Sequence, residues 1–303
     1  MVNKNTVPVI LVIGKDGQVG WELQRSMSVS GRVVAVGRAN LDLSDSDNIR
    51  SVIREIKPDI IINAAAYTAV DKAEEEQDLA HQINGIAPGV MAEEAQALNA
   101  LLIHYSTDYV FSGSKDIPYN ETDQPDPVNV YGFSKLAGEE AIQAVNCNYL
   151  ILRASWVFAS RGNNFLLSML RLAGEREELN IVGDQIGAPT SARLVADATS
   201  YIVRCAYFEL KQGRFKSGLY HLASAGETSW HGFAQRIIQS ARSTLSDRKI
   251  IVKDINPIKT TEYPTPAKRP LNSRLSTNEL RQRFGVYLPD WGYQVDLSIQ
   301  ELG

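Results

Sequence analysis

The stretch Val9-Ile10-Leu11-Val12-Ile13-Gly14-Lys15-Asp16-Gly17-Gln18-Val19-Gly20 decides the fold. Its apolar, largely β-branched opening has no polar break, as in a strand buried on both faces of a parallel sheet. Glycines then recur at the spacing G-x-x-G-x-x-G and lead into a helical pattern near Val19–Met27. Backbone N–H groups and the helix dipole at such a turn favour a pyrophosphate. Gly14 permits the tight turn, Gly17 lets the backbone approach the phosphates, and Gly20 allows close helix–strand packing. Alone the spacing marks only a turn; between strand and helix it predicts dinucleotide binding, with Gln18 and Val19 inside the same loop.

Beyond this unit, short apolar runs alternate with helical patterns. Arg32–Val36, Asp59–Asn63, Leu101–Ser106 and Tyr149–Arg153 read as strands. The intervening helices include one capped by Asp45 or Asp47, one near Pro88–Leu98 and one over Tyr131–Val145. Such alternation predicts an α/β fold, a Rossmann-like doubly wound parallel sheet. After Trp156 the order loosens. Phe165–Leu172, Ala192–Phe208 and Trp230–Ser243 read as helices, Gly218–Ala223 as a late strand, and proline-rich Asn256–Pro270 as an irregular loop. Residues 1–155 form the expected dinucleotide-binding domain, with 189–225 returning to it. Residues 156–188 and 226–303 form a smaller, C-terminal substrate-binding domain.

A chain of 303 residues can bury such a core, and its net charge of −4 offers no general attraction to nucleic acid or anionic membranes. Met1–Thr6 is short and polar, the apolar run after it is too short to span a membrane, and no secretory pattern follows it. Cys147 and Cys205 stand far apart, and His81, His104, His221 and His231 form no metal-ligand spacing, so neither a disulfide framework nor a zinc site is expected. Asn120-Glu121-Thr122 matches a glycosylation sequon, but without a secretory signal it reads as a surface loop. The expected location is the cytoplasm.

At the end of the second strand an acid would bond the free ribose 2′-hydroxyl, whereas an arginine would accommodate a 2′-phosphate. The sequence there is Val36-Gly37-Arg38, which points to NADPH without excluding NADH. Asp42 and Leu43 are placed to meet the adenine, and Ala64-Ala65-Ala66-Tyr67 supplies small side chains where the cofactor passes. Tyr131 and Lys135 share one helix face. A free tyrosine has a pKa of about 10, and a lysine ammonium one turn away is expected to lower it. Tyr131 would then give its proton to a carbonyl oxygen as hydride arrives, while Lys135 also holds the nicotinamide ribose. Thr107, at a strand end, would orient the same oxygen.

With these residues, the sequence resembles the extended short-chain dehydrogenase/reductase family, and within it the dTDP-4-dehydrorhamnose reductase branch. The likeness runs along nearly the whole chain. Its marks are the Gly14–Gly20 turn, Asn63-Ala64-Ala65-Ala66-Tyr67-Thr68-Ala69-Val70-Asp71, Ser106-Thr107-Asp108-Tyr109-Val110-Phe111 and Tyr131-Gly132-Phe133-Ser134-Lys135. Arg153-Ala154-Ser155-Trp156-Val157, Gly187-Ala188-Pro189-Thr190 and Arg269-Pro270-Leu271-Asn272-Ser273 complete them. Related dehydratases carry an acid after the Thr-Asp pair, where this chain has Tyr109. The resemblance implies reduction of the C4 keto group of a dTDP-sugar, dTDP-4-dehydro-6-deoxy-L-mannose, to dTDP-L-rhamnose, a donor for polysaccharide biosynthesis. It implies sugar contacts from Thr107, Asp108 and Trp156, whose flat ring can pack on a deoxysugar face. Lys268 and Arg269 are placed to pair with the diphosphate.

Some members of this family hold Mg2+ between subunits. Glu22 fits one ligand position, but Arg193 stands where another acid belongs, which argues against the metal and the dimer built on it. A homodimer through another surface and a monomer both fit the sequence. Two rival readings are a non-catalytic regulatory subunit of the methionine adenosyltransferase β type and a reductase of another dTDP-4-keto sugar.

Overall fold

The computed structural model describes residues 7–303; Met1–Thr6, and with them the reading of the extreme N-terminus, lie outside the described residues. Among the described residues the first strands are β1 (Val9–Ile13), β2 (Arg32–Val36), β3 (Ile60–Asn63), β4 (Leu101–Thr107) and β5 (Asn148–Ala154). A later strand, Gly218–His221, joins them in a six-stranded sheet of order Gly218–His221, β5, β4, β3, β1, β2. Every pairing in it is parallel. The order reverses at β1, so the carboxyl ends of β1 and β3 flank the crevice where such sheets bind ligands.

Both faces of the sheet are covered, which is why β1, Ile60–Ile62 of β3 and Leu101–Ile103 of β4 read as apolar runs. On one face Ile10, Val12, Ile60 and Ile62 pack against Leu23 and Met27 of helix Gln18–Met27 and Val195, Ile202 and Val203 of helix Ala192–Lys211. On the other, Leu11, Ile13 and Ile61 meet Ile49 and Ile53 of helix Ser46–Ile56, Val90 and Met91 of Ala87–Leu98, and Ile142 of Val130–Val145. At three of these helices a side chain satisfies first-turn N–H groups, Ser191 accepting from the Leu194 amide at 3.1 Å in one of them. Asp45 accepts from the Asp47 and Asn48 amides, and Asn129 accepts from Gly132 at 2.8 Å.

A separate core gathers Phe158, Leu166, Leu170, Phe233, Ile237, Val295 and Ile299 from the chain after β5. Here one expectation fails. Asn256–Pro270 is not irregular throughout, because Asp254–Ile258 is a strand paired in parallel with Glu178–Val182. Pro257 is tolerated because a two-stranded ribbon is all edge, and its missing N–H can face away from the partner. A 3-10 turn at Thr260–Glu262 follows, held by the Lys259 amide donating to the Glu262 carboxylate at 2.8 Å.

Candidate active site

A cavity of about 960 Å³ opens beside the carboxyl ends of the strands. Its wall at the first turn comes from Gly14, Gly17, Gln18 and Val19, with Arg38, Asp42 and Leu43 beyond β2. Gly14 has φ +90°, and a Cβ there would lie 2.9 Å from Ala65. Gly20 does not line the cavity; a Cβ on it would drive into the Gly14 carbonyl, so its absence of side chain lets the helix close on the strand. Gly17 begins the helix with no side chain bonded to the first-turn amides, leaving those donors for an anion. Arg38 is exposed and, among the described residues, has no carboxylate within ion-pair distance. These donors and the nearby arginine fit a dinucleotide pyrophosphate and a ribose phosphate.

Ala64, Ala65, Ala66 and Tyr67 form a further wall. Their loop is held by Asn84, whose side chain accepts from the Tyr67 amide at 2.8 Å and donates to the Tyr67 carbonyl at 3.0 Å. Asn84 lies in a π turn, Gln82–Ile86, that the sequence pattern does not reveal. The loop after β5 adds Gly162 and Asn163 to the lining, and Asn164 fastens it by donating to the Gln18 side chain at 2.9 Å.

The reacting groups meet at the end of β4. Thr107, Asp108, Tyr131, Lys135 and Trp156 all line the cavity. Asn129 caps the helix that presents Tyr131 in its first turn, and Lys135 follows one turn later. Burial raises the Tyr131 phenol above its ordinary value, while a hydrogen bond to Thr107 acts the other way. The expected lowering by Lys135 is therefore not found. The reason is geometric: the Lys135 amine donates to the Tyr105 carbonyl at 2.7 Å and lies 3.2 Å from the His104 Nε2. Burial lowers its pKa to about 8. Asp108 is likewise buried, which raises its carboxyl to about 6, and its Oδ2 has no hydrogen-bond partner.

Trp156 has φ +46°, a left-handed conformation rare for a bulky residue and the kind of strain that collects at functional sites. Its ring lies on Trp230, which also lines the cavity but carries no motif that marks it in the sequence. Gln185 accepts from the Trp230 indole at 3.1 Å and donates to Thr260 at 3.1 Å. Beneath Trp156 lies Gly187, where a Cβ would come 2.6 Å from the indole.

Lys268 and Arg269 do not line the cavity. Lys268 is exposed, and its carbonyl accepts from Asn129 at 2.8 Å. Arg269 pairs with Asp71 at 2.6 Å and donates to the Tyr109 hydroxyl at 3.1 Å. It thus reaches the site through Tyr109, whose ring stands edge-on to Tyr131 with centroids 5.5 Å apart. Glu22 pairs with Arg25 at 3.3 Å and Arg193 at 3.5 Å, and Arg193 also pairs with Glu301. Two guanidinium groups on this carboxylate do not suit a divalent cation, and no cluster of three or more His, Cys, Asp or Glu occurs among the described residues.

Open amides at a helix start and a buried phenol behind the same cavity suit hydride exchange with a nicotinamide dinucleotide, the chemistry of the short-chain dehydrogenase/reductase class. The RmlD substrate binding domain model matches residues 8–303. A Burkholderia thailandensis dTDP-4-dehydrorhamnose reductase is 51% identical, covering 97% of this chain and 98% of its own. The Escherichia coli K12 enzyme of that name is 46% identical over 97% of each chain. The crystal structure of a dTDP-4-dehydrorhamnose reductase from Bacillus anthracis in complex with NADP superimposes with a TM-score of 0.87 at 34% identity, covering 98% of this chain and all of its own. The chain belongs to the dTDP-4-dehydrorhamnose reductase family. A Thermus thermophilus UDP-glucose 4-epimerase, 17% identical with a TM-score of 0.77 and covering 97% of this chain and 99% of its own, shares the fold.

Proposed function

We infer that the protein reduces the C4 keto group of dTDP-4-dehydro-6-deoxy-L-mannose with NADPH, giving dTDP-L-rhamnose. The observation that carries this reading is a single cavity lined by the Gly14–Val19 turn, the Thr107–Tyr131–Lys135 group and Trp156. The reduced cofactor supplies the hydride. Thr107 orients the carbonyl oxygen and Tyr131 donates its proton to it; burial keeps the phenol protonated and ready to give one. A buried tyrosinate left behind is costly, so a cation at Lys135 compensates it and also holds the ribose. Trp156 supports the deoxysugar ring, and Asp108 bonds its hydroxyls.

Lys268 and Arg269 belong to the same proposal as diphosphate contacts, with Arg269 exchanging Asp71 for the ligand. So does the division of labour between 1–155 with 189–225, which hold the dinucleotide, and 156–188 with 226–303, which hold the sugar. The proposed location is the cytoplasm; no helix among the described residues is long and apolar enough to cross a membrane.

NADPH oxidation with dTDP-4-dehydrorhamnose tests the reading. The wild type turns over and forms dTDP-L-rhamnose, and Tyr131→Phe loses about 10²- to 10⁴-fold in kcat. Binding of NADPH without turnover of this or any other dTDP-4-keto sugar would leave a regulatory subunit as the better account.

A further inference from the structure

Behind Lys135 lies a histidine that the proposed reaction does not use. His104 is fully buried in β4, in register with Asn63 of the neighbouring β3. Its Nδ1 lies 3.1 Å from the Asn63 amide nitrogen, and its Nε2 lies 3.2 Å from the Lys135 amine. The Asn63 amide is itself oriented, because its oxygen accepts from the Ala65 N–H at 3.2 Å. Ala65 lines the cavity in the loop that passes the glycine turn.

The consequence follows from proton counting. Burial, and then the nearby lysine, hold the His104 pKa well below the ordinary range, so the ring is neutral and carries one N–H. With its oxygen committed to Ala65, Asn63 presents its NH₂ group to Nδ1, which must accept. The ring proton then sits on Nε2 and points at Lys135. An N–H directed at a nitrogen needs a lone pair there, and an ammonium has none. We propose that His104 is a positioning residue that, through Asn63, favours the neutral amine of Lys135 in the ligand-free enzyme. Charging Lys135 takes up one proton, moves the ring proton from Nε2 to Nδ1, and requires the Asn63 amide to turn its oxygen to Nδ1 and release the Ala65 N–H. The state of the Ala64–Ala66 loop and the charge of the lysine are thus coupled through two side chains. The inference rests on the reading of Lys135 as part of the active site.

The other groups around Lys135 do not settle its charge. Glu139, on the same helix, favours the ammonium, but both its oxygens are taken by Arg153 of β5 at 2.8 and 2.6 Å. Tyr131 on the same helix is held neutral by burial. From β4 the lysine receives the Tyr105 carbonyl, which accepts from amine and ammonium alike.

The test is ¹⁵N NMR of the ligand-free protein on the alkaline side of the Lys135 value of about 8, with His104 assigned by its loss in His104→Gln. The wild type is expected to show Nε2 protonated and Nδ1 bare; an Nδ1–H tautomer overturns the proposal. In Asn63→Asp a carboxylate faces Nδ1 and can only accept. The ring is expected to switch to Nδ1–H, and the Lys135 ζ-nitrogen to titrate about one pH unit or more higher. A variant ring that stays Nε2–H, with the lysine titrating where it does in the wild type, is the second overturning result. If this variant does not fold, the wild-type tautomer alone decides. Neither readout needs turnover, so loss of the assigned reductase activity and loss of this tautomer are separate outcomes.

Discussion

Trp156 and Trp230 lie face to face, ring centroids 3.7 Å apart and planes 10° from parallel. Trp156 holds a strained backbone while offering its ring to the cavity, and Trp230 is the surface that keeps the ring in place. Such a pair contributes about 0.5–1.5 kcal/mol beyond area burial. Trp230→Ala should therefore raise KM for the sugar nucleotide about 3- to 10-fold with a smaller change in kcat, while Trp230→Phe keeps most of the affinity. Steady-state kinetics check this, and an unchanged KM in the alanine variant would show that Trp156 needs no support.

Arg38 lines the cavity beyond β2 without a carboxylate partner among the described residues. Arg38→Ala should weaken NADPH about 10- to 100-fold, the worth of a charge-assisted hydrogen bond, and leave NADH nearly untouched. Parallel titrations with the two cofactors provide the comparison. Equal losses for both would place the arginine on the shared part of the dinucleotide.

Asp108 is ionised at neutral pH at a cost, since burial has raised its carboxyl to about 6. The folded state then binds the proton more tightly than the unfolded chain, so this group's contribution to stability falls as pH rises from about 4 to 6. Asp108→Asn should raise stability at pH 8 by up to roughly 3 kcal/mol, give no such gain near pH 4, and impair sugar binding. Thermal unfolding at both pH values measures it. A gain of equal size at both would assign the effect to something other than ionisation.

Glu22 already answers two arginines, Arg25 and Arg193. Chelation with EDTA and addition of Mg2+ should leave both sedimentation and the reductase rate unchanged. A magnesium-dependent change in mass would mean that the cation displaces those guanidinium groups.

Much of the fold and site is legible in the sequence, for reasons that differ by region. The central strands announce themselves because a parallel sheet covered on both faces demands apolar runs, and of the two cap candidates Asp45 and Asp47 the structure uses Asp45. The glycine turn and the Tyr131–Lys135 pair are local in sequence, so spacing alone brings them together. His104 is hidden for the opposite reason. In an apolar strand a histidine looks like any core residue, and only the pairing of β3 with β4 sets Asn63 beside it. Trp230 reaches Trp156 across a long span of chain. The Arg269–Asp71 pair is more remote still in sequence, which is why a guanidinium read as free for diphosphate proves to have a partner. Asn256–Pro270 misleads because proline counts against a strand only where a ladder needs its N–H.

Gly187 gives the site a limit of a different kind. Any side chain there would push the Trp156 indole from below, since even a methyl carbon would sit 2.6 Å from it. Attempts to broaden the range of accepted sugars by mutation at this floor should therefore fail first in the position of the indole. Above it the indole is backed by Trp230, itself packed on Phe165 and bonded to Gln185, so it has no free direction in which to retreat. Evolution toward a bulkier keto sugar meets a closed route at residue 187.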